Sequence, residues 1–189
     1  MVTRLDILLS ERGKRRTDLE TLIRQRYLDL ALHIPGGCDL EPQALLAALA
    51  WQESTFGLHG GQSRVERAYC RGGTYYDGSS EVRDLWACYG SCAAASWSSW
   101  QILYVAAFEL GFDLPPWRLF DDHIAFEWVI RYLDKRVLSK GATTVEDFAD
   151  AYNSGTHRDS IVPVDYIKSF AQHYARCVAL LQAGQPVGP

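Results

Sequence analysis

Leu45-Leu46-Ala47-Ala48-Leu49-Ala50-Trp51-Gln52-Glu53-Ser54-Thr55-Phe56-Gly57 is the stretch on which the fold of this chain turns. Leucines at helical spacing among alanines, the strongest helix former, predict a helix. It opens near Asp39, tolerates Pro42 in its first turn and is read as stopping at Gly57. Glu53 follows Leu49 by four residues, Leu46 by seven and Leu45 by eight, spacings that place it on the apolar face. A carboxylate there is costly unless paired or neutral. In the last turn it also meets the negative end of the helix dipole. Both effects favour the protonated acid.

Two readings of Glu53 stand at this point. A carboxylic acid held protonated near neutral pH can protonate a leaving oxygen. Alternatively, the side chain reaches out from the helix end or pairs with Arg64, Arg67 or Arg71.

The flanking sequence is helical too. Thr17 and Glu20 have capping-box spacing ahead of an apolar stripe, Leu19, Leu22, Ile23, Leu30 and Ala31, which stops before Pro35-Gly36-Gly37. Further helices are expected from about Ser98 to Leu110, from Asp121-Asp122, from an N-cap at Thr144 to Gly155, and from Val164 to about Ala183. The tail Gln185–Pro189 is expected to fray. Residues 58–95 are different: glycines break any period and aromatics are scattered through them, with a short helix around Ser80–Ala87 or a small hairpin. A long irregular insertion of this kind is usually functional. The expectation is a mainly α, single-domain fold over 1–189. It has an N-terminal helical segment 1–36, a core 37–160, and a C-terminal helix and tail 161–189.

Composition narrows the function classes. With 189 residues, 48% hydrophobic and 22% charged, the chain can bury a sizeable core. A net charge of -4 gives no electrostatic case for nucleic acid or an anionic membrane. The basic group Arg12, Lys14, Arg15, Arg16 is followed at once by Asp18 and Glu20 and reads as a solvated helix entry. No apolar run is long enough to insert into a bilayer, and the first residues do not read as a secretory signal. The five cysteines, Cys38, Cys70, Cys88, Cys92 and Cys177, are odd in number and read as partly buried thiols, with one or two bridges the alternative. The histidines (His33, His59, His123, His157, His173) lack ligand spacing, so neither metal nor cofactor is expected.

Three separated motifs, LLAALAWQESTFG, SWSSWQI at Ser96–Ile102 and FADAYNSG at Phe148–Gly155, give the chain its resemblance. In order, they resemble the signatures of the lysozyme-like lytic transglycosylase and goose-type lysozyme superfamily: a catalytic helix ending in Glu-Ser, a Gly-Leu-Met-Gln motif and an Ala-Tyr-Asn-Ala-Gly motif. The second is altered, with Ser98-Ser99 for Gly-Leu and Trp100 for Met. The resemblance implies a lysozyme-like helical fold and a peptidoglycan-cleaving lytic transglycosylase. In that enzyme Glu53 is the general acid/base at the bond between N-acetylmuramic acid and N-acetylglucosamine.

The resemblance also assigns roles to neighbours. Ser54 would pose the saccharide or the Glu53 side chain, Gln101 would bond the sugar, Tyr152 would point its hydroxyl at Glu53 or an N-acetyl group, and Asn153 would brace the helix end or reach substrate. Trp100 would narrow the groove or act as a stacking platform. Trp51, Tyr75, Tyr76, Trp97 and Tyr104 are further aromatics that could line the groove. Hydrolysis in the goose-type manner would need a second acid to position water, for which Asp77 or Glu66 is placed, with Glu81 and Asp84 behind them. A third alternative keeps the fold for saccharide binding in an envelope-penetrating assembly. The expected partner is the peptidoglycan glycan strand, met by a monomer delivered to the cell wall from the cytoplasm by a virion or a secretion apparatus, or carried in a longer protein.

Overall fold

A computed structural model describes residues 4–56, 63–154 and 162–185. The stops read at Gly57 and Gly155, His59, His157 and residues 186–189 lie outside them. Among the described residues the fold is mainly helical, with eight α-helices and one small antiparallel sheet. No helix among them is long and apolar enough to cross a membrane. The chain divides into two compact units, one from Met1–His59 with Leu133–Pro189 and one from Gly60–Tyr132.

The first unit holds α1 (Arg4–Ala31), α2 (Pro42–Ser54), α7 (Val145–Ser154) and α8 (Val164–Gln182). Helix α1 starts well before Thr17, so the capping-box spacing of Thr17 and Glu20 falls inside a helix and has no orphan amide to cap. Its stripe is buried as expected at Leu19, Leu22, Ile23 and Leu30. Helix α2 is capped by Glu41, whose carboxylate accepts from the Ala44 amide. Every residue from Ala44 to Trp51 is buried. A helix that is apolar all round sits inside its domain. Helix α2 packs against α1 and α8, and α7 packs against α8 through the stacked rings of Phe148 and Phe170, 5.7 Å apart. The Tyr174 hydroxyl of α8 accepts from the Glu41 amide at 2.8 Å. As read from sequence, Thr144 Oγ1 caps α7 at the Asp147 amide.

The second unit holds β1 (Ser63–Val65), α3 (Thr74–Gly78), α4 (Ser80–Tyr89), β2 (Ala95–Trp97), β3 (Ile102–Leu103), α5 (Tyr104–Glu109) and α6 (Asp122–Tyr132). The strands run in the order β1-β2-β3, pairing Arg64 with Ser96 and Trp97 with Ile102. The helix expected from Ser98 is corrected here. Residues 98–101 form the turn of the β2–β3 hairpin, with positive φ at Ser98 (68°) and Gln101 (51°), and the helix begins only at Tyr104. Left-handed residues cannot propagate a right-handed helix, whatever their apolar spacing.

Candidate active site

Glu53 sits in the last turn of α2, where the helix leaves its buried surroundings. The end is built by residues that seldom end helices. Thr55 (φ 50°) and Phe56 (φ 57°) are both left-handed, the conformation usually left to glycine. The Thr55 amide donates to the Trp51 carbonyl at 2.9 Å and the Phe56 amide to that of Ala50 at 3.1 Å. The fully buried Phe56 ring meets Trp51 edge-on at 6.2 Å. Burial of Phe56 offsets the backbone strain, which is about 1–2 kcal/mol per left-handed residue. Strain of this kind concentrates at functional sites.

The Glu53 side chain is half-buried, and Oε1 accepts the hydroxyl of Tyr166 at 2.5 Å. That is a short O–H···O hydrogen bond, which fixes the position of the carboxyl group. Tyr166 lies in the first turn of α8, which starts after Pro163. The resemblance brings a second hydroxyl, that of Tyr152, toward Glu53 or an N-acetyl group. Tyr152 is buried on α7, one turn after Phe148, where its ring packs in the core. Tyr166 lies four residues before Phe170 and eight before Tyr174, on the face of α8 that they share, and a tyrosine on that face in the first helical turn is the signal that could have marked it.

Other members of the expected site in this unit are placed as follows. Ser54 is buried and donates its hydroxyl to the Ala50 carbonyl at 3.0 Å, so that proton serves the helix end. Asn153 is exposed at the end of α7. Trp51 stacks on His173 at 5.1 Å, with the Arg176 guanidinium 4.7 Å from its ring centre. Burial and then Arg176 lower the His173 pKa. Trp51 is two residues from Glu53, a spacing at which helical side chains do not face each other. It therefore belongs to the α2–α8 packing.

In the second unit the expected residues are held in other ways. Trp100 is fully buried and meets Phe126 edge-on at 5.5 Å. It is a core residue, and the groove platform read from sequence is corrected: a ring with no exposed surface offers no face to a sugar. Trp97 and Tyr104 are buried as well, leaving Tyr75 (55% exposed) and the half-buried Tyr76 with surface among the second unit's expected groove aromatics. Tyr75 stacks on Tyr69 at 4.6 Å, and Tyr76 lies edge-on to Trp86 at 5.8 Å. Gln101 is buried, with its side-chain amide donating back to the Ser98 carbonyl at 2.8 Å. The same turn is clamped by Asp122, which accepts from the Ser99 amide and hydroxyl, each at 2.8 Å.

The two candidate water-positioning acids differ sharply. Glu66 Oε1 takes both the Arg64 guanidinium at 2.7 Å and the Ser96 hydroxyl at 3.1 Å. Asp77 is exposed within α3 rather than in an open turn. The five cysteines are free thiols, and burial pushes the Cys177 thiol up to about 12. Compared with family models, curated proteins and solved structures, the chain matches none.

Proposed function

We propose that the chain is a peptidoglycan-cleaving lytic transglycosylase with a lysozyme-like fold, in which Glu53 alone supplies acid and base. The observation that carries this reading is the Glu53–Tyr166 pair at the strained end of α2. As the acid, Glu53 protonates the glycosidic oxygen between N-acetylmuramic acid and N-acetylglucosamine while the N-acetyl group of the substrate assists. As the carboxylate, it then takes the proton of the muramoyl 6-hydroxyl, which closes the 1,6-anhydro ring. The hydroxyl of Tyr166 holds the carboxyl group in place through both halves.

The single-acid route is preferred to hydrolysis through Glu66, whose Oε1 already takes Arg64 and Ser96, and hydrolysis through Asp77 is the alternative that the products decide. An acid already holding two donors is poorly free to orient water. The enzyme acts as a monomer on glycan strands at the cell wall and uses no cofactor.

Mass spectrometry of the soluble products released from purified peptidoglycan tests the reading. Anhydromuropeptides from the wild type that disappear with Glu53→Gln are expected. Reducing-end muropeptides would replace the transglycosylase by a hydrolase and direct attention to Asp77. Absence of any fragment, where a control enzyme works, would leave a saccharide-binding protein.

A further inference from the structure

A row of polar side chains runs along one side of α8. Tyr166, Ser169, His173 and Arg176 stand at i, i+3, i+7 and i+10, spacings that share one face of a helix. Tyr166 holds Glu53. Seven residues further on, His173 lies flat on the buried Trp51, with ring centres 5.1 Å apart and an interplanar angle of 13°. The Arg176 guanidinium stands over the same indole, 4.7 Å from its centre. Ser169 Oγ is 3.4 Å from His173 Nε2. The proposed chemistry uses only Tyr166 from this row.

The place suits a neutral imidazole. His173 is half-buried, and burial disfavours its charged form. The like charge of Arg176 adds to that, and together they hold the imidazole below its ordinary 6.5. An imidazolium would be drawn to the indole face, but the guanidinium already lies on that ring. Among the described residues no acid offsets Arg176. On α2, Glu53 is engaged by Tyr166, and Glu41 lies at the other end of the helix beside Tyr174. Helix α7 meets α8 through Phe148 and Phe170, and its acids Glu146, Asp147 and Asp150 exert no counterpull on His173.

The direction of the pH effect follows. The folded chain takes this proton less readily than the unfolded one. Stability from the neutral contact is therefore complete above pH 6.5 and is lost as pH falls below it toward the folded value. The loss falls on the α2–α8 packing, because Trp51 belongs to one helix and His173 to the other. Tyr166 rides on the same helix as His173, so a local opening of α8 moves both away from α2.

We propose that the stack of His173 on Trp51 is a pH-sensitive latch, which holds α8 against α2 while the imidazole is neutral and loosens it, and Tyr166 with it, when the imidazole takes a proton. As a control on catalysis it rests on the proposed function. As a latch between two helices it rests on their contact alone, and Glu53 loses its fixed position when the latch opens.

Hydrogen exchange of the amides of residues 168–176 in the full chain tests it, between about pH 7.5 and about pH 5, with rates corrected for the intrinsic pH dependence of exchange. In the wild type the opening of these amides should grow on acidification, by at most about tenfold per pH unit, the limit set by one proton. His173→Phe keeps a flat ring on Trp51 without a charge, and its opening should not change with pH. Arg176→Gln removes the like charge from an exposed position, and acid should then open α8 less than in the wild type. An acid response in His173→Phe equal to that of the wild type overturns the latch. So does an Arg176→Gln variant that responds like the wild type, a result that holds even if the Phe variant folds poorly. The latch and the catalytic reading fail separately. Acid opening of α8 with no cleavage at neutral pH removes only the enzyme. Normal cleavage with an α8 indifferent to pH removes only the latch.

Discussion

Replacing Tyr166 by Phe removes one oxygen and leaves the ring. The bond lost is 2.5 Å long and runs to a half-buried carboxylate. Hydrogen bonds to charged groups contribute about 1.5–3 kcal/mol, and partial exposure places this one near the lower end. The fold should lose about 1.5 kcal/mol, read as a lower urea midpoint at unchanged slope. A double-mutant cycle with Glu53→Ala isolates the pair, and a coupling of about 1.5 kcal/mol is expected. Zero coupling in the cycle would show that Tyr166 merely packs and would refute this account of the site.

Three other changes probe the surroundings. Thr55→Gly should stabilise the fold by about 1 kcal/mol, because relief of left-handed strain exceeds the added backbone freedom; a lower melting temperature would contradict this. Trp100→Ala should cost about 3–5 kcal/mol as a core deletion, and a loss below 1 kcal/mol would return that ring to the surface. The Cys177 thiol has a folded pKa of about 12 against 9.0 for the ordinary thiol. Its contribution is therefore full below pH 9 and is lost as pH rises toward 12. Between pH 8 and pH 10 the wild type should lose on the order of 1 kcal/mol through this group, and Cys177→Ala should flatten that slope in urea titrations.

Elements with a full apolar period and a proper end signal were legible. Helices α6 and α8 begin where Asp122 and Val164 were read, and Thr144 caps α7. The sheet was not legible, because strands of two or three residues are too short to show alternation. The hairpin turn hid for a related reason: the positive φ of Ser98 and Gln101 leaves no mark when neither is glycine. Glu53 was placed on an apolar face by counting from leucines, yet α2 is buried on every side to Trp51. Its periodicity therefore carries no direction, and Glu53 is half-buried only because the helix emerges there. The pairing of Glu53 with Tyr166 joins residues 113 apart, beyond any local pattern.

That separation has a consequence for the order of assembly. Helix α2 packs against α8, and in sequence residues 60–132 interrupt the two segments that form the first unit. Closing so long a loop costs entropy before any contact repays it. A ribosome emitting this chain can complete the inserted unit while the first is still open, but Glu53 waits for Tyr166 until α8 has been synthesised. Maturation of the carboxylate is thus a late step of folding, and pulse-labelled nascent chains truncated before Val164 should leave the α2 amides open to hydrogen exchange.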